Sequence, residues 1–270
     1  MSTELQALDL SLLLAPFAAG LLVLATHVVL GIEVLRRGII FIDLAIAQVA
    51  ALGAIAASLY EFDAIGPIAL HGFGTQLAAG LAAGLGALLM TGFEKRWPEI
   101  QEALIGLVFV FAAAAGILLL AHNPHGGEHL RDLLAGQLLW VNLQQLLPVA
   151  VLYAGVLALW LGPAQRWPHL GFYLVFAVTV TASVQLVGVL LVFTSLIAPA
   201  VATRALHGVR RIAYAYLLGA AGYATGLGAS LYADLPAGAT VVCSLCLLVF
   251  AGLLMFKPEQ KALSDQALRS

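Results

Sequence analysis

The chain has 270 residues, 62% of them hydrophobic and only 10% charged, with a mean hydropathy of +1.02 and a formal net charge of −2. Those values exclude an ordinary water-soluble domain and give no reason to expect a nucleic-acid partner. They predict an integral membrane protein, and apolar runs long enough to cross a ~30 Å hydrocarbon layer predict helices rather than a barrel.

The N-terminal residues 1–9 carry no Lys or Arg and lead into an apolar run with no small-residue cleavage site, so the first span is expected to be retained rather than cleaved. Apolar windows between turn signals then predict spans at 10–30, 39–59, 77–91, 103–121, 146–161, 172–186, 189–206, 212–232 and 237–256. Several are short or glycine-rich, and the two flanking Gly188 are separated by almost nothing, which predicts a half-length, re-entrant or fused segment there. The expected fold is an all-α polytopic bundle of eight to ten spans, with residues 1–270 forming a single membrane domain.

Basic residues test the order of the spans, because Lys and Arg concentrate in cytoplasmic loops. Arg36 and Arg37, Lys95 and Arg96, Arg166, Arg204 with Arg210 and Arg211, and Lys257, Lys261 and Arg269 occupy every second loop, which leaves Arg131 as the exception among 12. This predicts an outside N-terminus and an inside C-terminus. Glycines at 80, 84 and 86, and again at 219, 222 and 226, have close to small-xxx-small spacing and are expected mainly to let helices of one chain approach closely. Cys243 and Cys246 are expected to be small buried helix residues.

Asp43 stands out chemically, as an aspartate within the second apolar run, seven positions past Arg36. A carboxylate in hydrocarbon costs several kcal/mol unless it faces a cavity, a partner or a cation, so such a residue points to a transport path. Gln48 lies roughly 140° from it around a straight helix, and a kink or a wide cavity would be needed to join the two. A flexible segment holding His122, His125, Glu128 and His129 offers imidazoles and a carboxylate that suit capture of a borderline metal, although its spacing matches no fixed zinc site. His27, His71, His169 and His207 are isolated and are expected to be structural. There is no phosphate-binding loop and no soluble stretch able to house a nucleotide domain, so any ATP would be hydrolysed by another chain.

Several stretches together resemble the zinc and manganese permease family of bacterial ABC importers. They are Arg36-Arg37 through Asp43, Ala47-Gln48 to Gly53, Glu94-Lys95-Arg96 ahead of Ala103 to Gly106, Leu134 to Leu139, Val187 to Ala200, and Asp234 to Gly238. The resemblance runs over nearly the whole chain. It implies a permease of the vitamin B12-importer type, working as a homodimer in the bacterial inner membrane with an ABC ATPase subunit and a periplasmic metal-binding protein. It also implies that Asp43 and Asp234 line the path of a transported divalent cation, zinc first and manganese second, with no permanently bound cofactor. The chain departs from the family in having Ala47 where a histidine is common, and in the shortness of the 162–171 linker. Rival expectations are a permease for a metal chelate or vitamin and an ATP-independent cation carrier. Counting from Arg37 at ~1.5 Å per residue puts Asp43 near the inner face and Asp234 at the outer one, so the two are not expected to share one ion without a broken helix or a reversed span.

Overall fold

The computed structural model describes residues 2–59, 73–120, 138–162 and 169–255. These residues form nine α-helices: α1 (Ser2–Arg37), α2 (Ile42–Leu59), α3 (Phe73–Arg96), α4 (Gln101–Leu120), α5 (Leu143–Leu161), α6 (Leu170–Val187), α7 (Val189–Ala202), α8 (Gly208–Ala233) and α9 (Ala237–Met255). Short 3-10 turns at Pro98–Ile100 and Leu138–Trp140 precede α4 and α5. Five helical segments, Leu13–Arg37, Gly74–Arg96, Pro98–Leu120, Leu143–Leu161 and Leu170–Val187, are long and apolar enough to cross a membrane. The fold is therefore an all-helical membrane bundle.

Local chemistry explains the helix ends. The side chain of Asn142 accepts hydrogen bonds from the Gln144 and Gln145 amides at 3.0 and 3.1 Å, and Gln145 Oε1 accepts from the Asn142 amide, closing a capping box that starts α5. Asn142→Ala is expected to cost about 1 kcal/mol, seen as a lowered thermal midpoint of the purified protein in detergent. Gly188 alone joins α6 to α7 and takes a positive φ of 83°, a conformation that a side chain would strain. The chain breaks sharply here rather than continuing as one long helix, and α7 is only 14 residues long.

Two packed groups result. In one, α2 lies on α3 and α4, and α3 on α6; in the other, α1 lies on α7 and α8, and α9 covers α8 and α7. Glycines set the closest crossings. Gly53 meets Ala78 and Ala82 of α3, Gly31 meets the backbone of Leu196, Gly219 faces Leu24, and Gly222 and Gly226 face Leu245 and Val241. Gly219, Gly222 and Gly226 thus serve packing within the chain, as expected from their spacing, and so does Gly86 against Ile46 and Val49. Gly80 and Gly84 do not: a Cβ at either position would meet nothing within 4 Å. The expectation of buried cysteines also fails at Cys243, which is exposed on α9.

Helix directions follow from these contacts. Gly20 and Leu24 of α1 pair with Tyr223 and Gly219 of α8, so the two run antiparallel and the end of α1 lies level with the start of α8. Arg36, Arg37, Glu94, Lys95, Arg96, Arg204, Arg210 and Arg211 therefore gather at one end of the bundle, as the alternation of basic loops predicts. There the Arg37 guanidinium donates to Glu33 at 2.7 Å and to Glu94 at 3.4 Å and sits 4.3 Å from the Phe172 ring centroid, tying α1, α3 and α6 together. The Phe41 amide donates to Glu102, and Gln101 donates to the Tyr173 hydroxyl at 2.6 Å. These charged side chains thus form a collar at one end of the bundle.

Candidate functional site

Asp43 occupies the first turn of α2, just past the turn that follows Arg37. Its side chain is 0% exposed, and neither carboxylate oxygen has a hydrogen-bond partner among the described residues. The positive end of the helix dipole offers a carboxylate at this position no more than about 2 kcal/mol, less than the several kcal/mol that burial of a charge costs. Packing does not account for the residue. A carboxylate with both oxygens open is the chemistry that a hard or borderline cation completes, and it makes Asp43 the centre of the candidate site.

The other residues singled out from sequence fall in different places. Gln48 is buried on the same helix, which runs unbroken from Ile42 to Leu59, so it keeps its offset from Asp43 rather than turning onto its face. Asp234 is exposed and ends α8 in the left-handed conformation, with φ 51° and its amide bonded to the Ser230 carbonyl. By the pairing of α1 with α8 it lies at the far end of the bundle from Asp43. The two aspartates are thus separate points on opposite faces. His122, His125, Glu128 and His129 lie outside the described residues, as does 163–168 of the short linker. Among the described residues no three of His, Cys, Asp and Glu come together to hold a metal ion, so these residues form no closed cage.

The half of the bundle away from the basic collar holds a second feature that the sequence did not announce. Between α3, α5 and α6 a cavity of about 470 Å³ adjoins a smaller one of about 200 Å³, and both are lined by Gln76 and Gln185. Gln145 borders the larger cavity, while Thr181 and the open glycines Gly80 and Gly84 border the smaller. Around this groove the surface is apolar, with Trp140 82% and Leu147 70% exposed. Three carboxamides in a membrane-level face cannot be left to lipid, because each polar group in hydrocarbon without a partner costs several kcal/mol. Such a groove either holds water or is covered by protein. Residues 76, 145 and 185 are too far apart in sequence for any spacing rule to have joined them.

A polytopic helical bundle with an unpartnered buried carboxylate and an amide-lined groove has the features expected of a membrane transport protein. The family model of the ABC 3 transport family matches residues 9–166 and 161–256, and the chain belongs to that family. It is therefore a membrane-embedded member of a transport family. A curated relative, the "Probable iron transport system membrane protein" of Haemophilus influenzae, is 28% identical over 166 residues, which cover 52% of this chain and 61% of that protein. The solved structure of PsaBC from Streptococcus pneumoniae in complex with Fab has the same fold, with a TM-score of 0.67 at 20% identity over 94% of this chain and 95% of that one.

Proposed function

We propose that this permease carries divalent transition-metal ions inward, zinc first and manganese second, as a homodimer in the bacterial inner membrane. A separate ATPase pair supplies the energy and a periplasmic metal-binding protein supplies the ion. The observation that carries the reading is Asp43: a fully buried carboxylate with two unpartnered oxygens inside a transport bundle asks for a cation. The name of the Haemophilus influenzae relative, an iron transport protein, supports a metal as the class of cargo.

The route begins at the outer end, where exposed Asp234 attracts the ion, and follows the groove lined by Gln76, Gln145 and Gln185. A second copy laid against this groove removes the three amides and the ring of exposed apolar side chains from lipid and closes an aqueous channel between the two chains. Amide oxygens hold a hydrated cation weakly, and Asp43 near the inner end replaces part of its water shell. Weak, successive stations let an ion leave as readily as it enters. ATP binding at the inner collar then rocks the paired bundles, closing one end of the route as the other opens.

The test is ATPase activity of the permease reconstituted with its ATPase and binding protein across a metal series. The reading predicts stimulation by zinc, less by manganese and none by magnesium or calcium. Indifference to every transition metal would overturn it.

A further inference from the structure

Like Asp43, His27 is a fully buried side chain with a polar atom that has no partner among the described residues. It sits on α1 ten residues before Arg37, about 15 Å from the inner end at 1.5 Å per residue and hence near the middle of a ~30 Å core. The ring is 0% exposed. Its Nδ1 lies 2.9 Å from the Val23 carbonyl and 3.1 Å from Thr26 Oγ1. A carbonyl only accepts, so Nδ1 carries the hydrogen and donates it, which leaves Nε2 with a bare lone pair in the neutral ring. That Nε2 has no partner among the described residues.

The direction in which the ring projects follows from its neighbours on the helix. Gly20, Leu24, His27 and Gly31 are spaced by four, three and four residues and share one face of α1. Gly20 lies beneath the Tyr223 ring, Leu24 against Gly219, and Gly31 against the Leu196 backbone. His27 therefore enters the seam between α1 and helices α7 and α8, level with the polar crossing in which the Ser195 and Tyr223 hydroxyls bond at 2.9 Å. The seam can part. Its cover, α7, is a short helix of 14 residues tied to α6 through Gly188 alone.

An imidazole whose Nδ1–H is fixed on a backbone carbonyl and whose Nε2 is bare is the arrangement that orients histidine toward a metal. From this we infer that His27 is a second, nitrogen-donor station of the metal route, reached when the seam opens, and that it sets the preference among metals. The inference rests on the metal-permease reading above. Imidazole favours zinc and its neighbours over manganese, whereas the carboxylate of Asp43 and the amides of the groove discriminate far less. With one nitrogen ligand and hydroxyls or water completing the shell, the ion is graded at this point and released, not trapped.

The experiment uses the full chain, reconstituted with its ATPase and binding protein, and compares uptake of zinc and manganese in the same vesicles for wild type, His27→Asn and His27→Gln. Both variants are expected to lower the zinc-to-manganese uptake ratio about tenfold. A loss caused only by poor folding lowers both metals together and leaves the ratio unchanged, which overturns the inference. A second measurement needs no variant: exchange of the imidazole C2 hydrogen of wild-type His27, followed by mass spectrometry with and without zinc under turnover. Protection by zinc supports the assignment. Exchange indifferent to zinc means that trapped water meets the lone pair, and overturns it while leaving the permease reading intact. If wild type carries neither metal, the permease reading fails and this inference with it.

Discussion

Asp43→Asn is expected to abolish metal uptake while leaving the protein as stable as wild type or more so. The sign of the stability change is the informative part. The carboxylate is fully buried and neither oxygen is bonded among the described residues, so no native interaction holding the fold together is lost when its charge is removed. What is removed is the desolvation cost of a buried charge, several kcal/mol, against at most about 2 kcal/mol of favourable interaction with the start of α2. The amide keeps the shape, and its own unpaired donors cost about 1–3 kcal/mol, less than the charge did. A thermal midpoint in detergent equal to or above wild type, together with metal uptake reduced at least tenfold in vesicles, is the predicted pair of results. A structural aspartate gives the opposite pair: a lowered midpoint, and uptake that falls only as the folded fraction does.

Gly31→Val is expected to be among the most damaging single substitutions in the chain. A Cβ at this position would stand 2.1 Å from the Leu196 carbonyl oxygen and 2.9 Å from its carbon, backbone atoms that no rotamer change can move. The crossing of α1 with α7 would have to open, at or above the ~3 kcal/mol upper end of ordinary overpacking. The check is the yield and thermal midpoint of the purified protein. Gly84→Val is the matched control, since a Cβ added there meets nothing within 4 Å. It is expected to fold normally. Because Gly84 borders the groove, it is also expected to weaken pairing of two copies, read as a loss of cross-linking between cysteines introduced at Leu147.

Most of the helices were legible because hydrophobic runs of membrane length have few alternatives. Boundaries were less so. α1 extends seven residues past the predicted end at Leu30, because Glu33, Arg36 and Arg37 satisfy one another and let the helix run on into the interface. The break at Gly188 was visible as a glycine between two apolar runs, and the positive φ supplies its cause. The described basic residues gather at one end of the bundle, as their alternation along the chain implied.

Asp43 was legible as an energetic anomaly, since no neighbour in sequence could excuse a carboxylate there. Its relation to Asp234 was legible too: the helix directions put them at opposite ends, as counting from Arg37 implied. The groove was not legible, because Gln76, Gln145 and Gln185 meet only through the packing of α3, α5 and α6. His27 was read as structural for a similar reason. An isolated histidine in an apolar run gives no sign of which nitrogen its own backbone will occupy, and the bare Nε2 appears only once α7 and α8 have packed around it.

The most direct test of the account is uptake of free radiolabelled zinc by vesicles containing the permease with its ATPase and binding protein. ATP-dependent accumulation that Asp43→Asn abolishes is the predicted result. Accumulation unchanged by that substitution, or no accumulation of free metal at all, would contradict it.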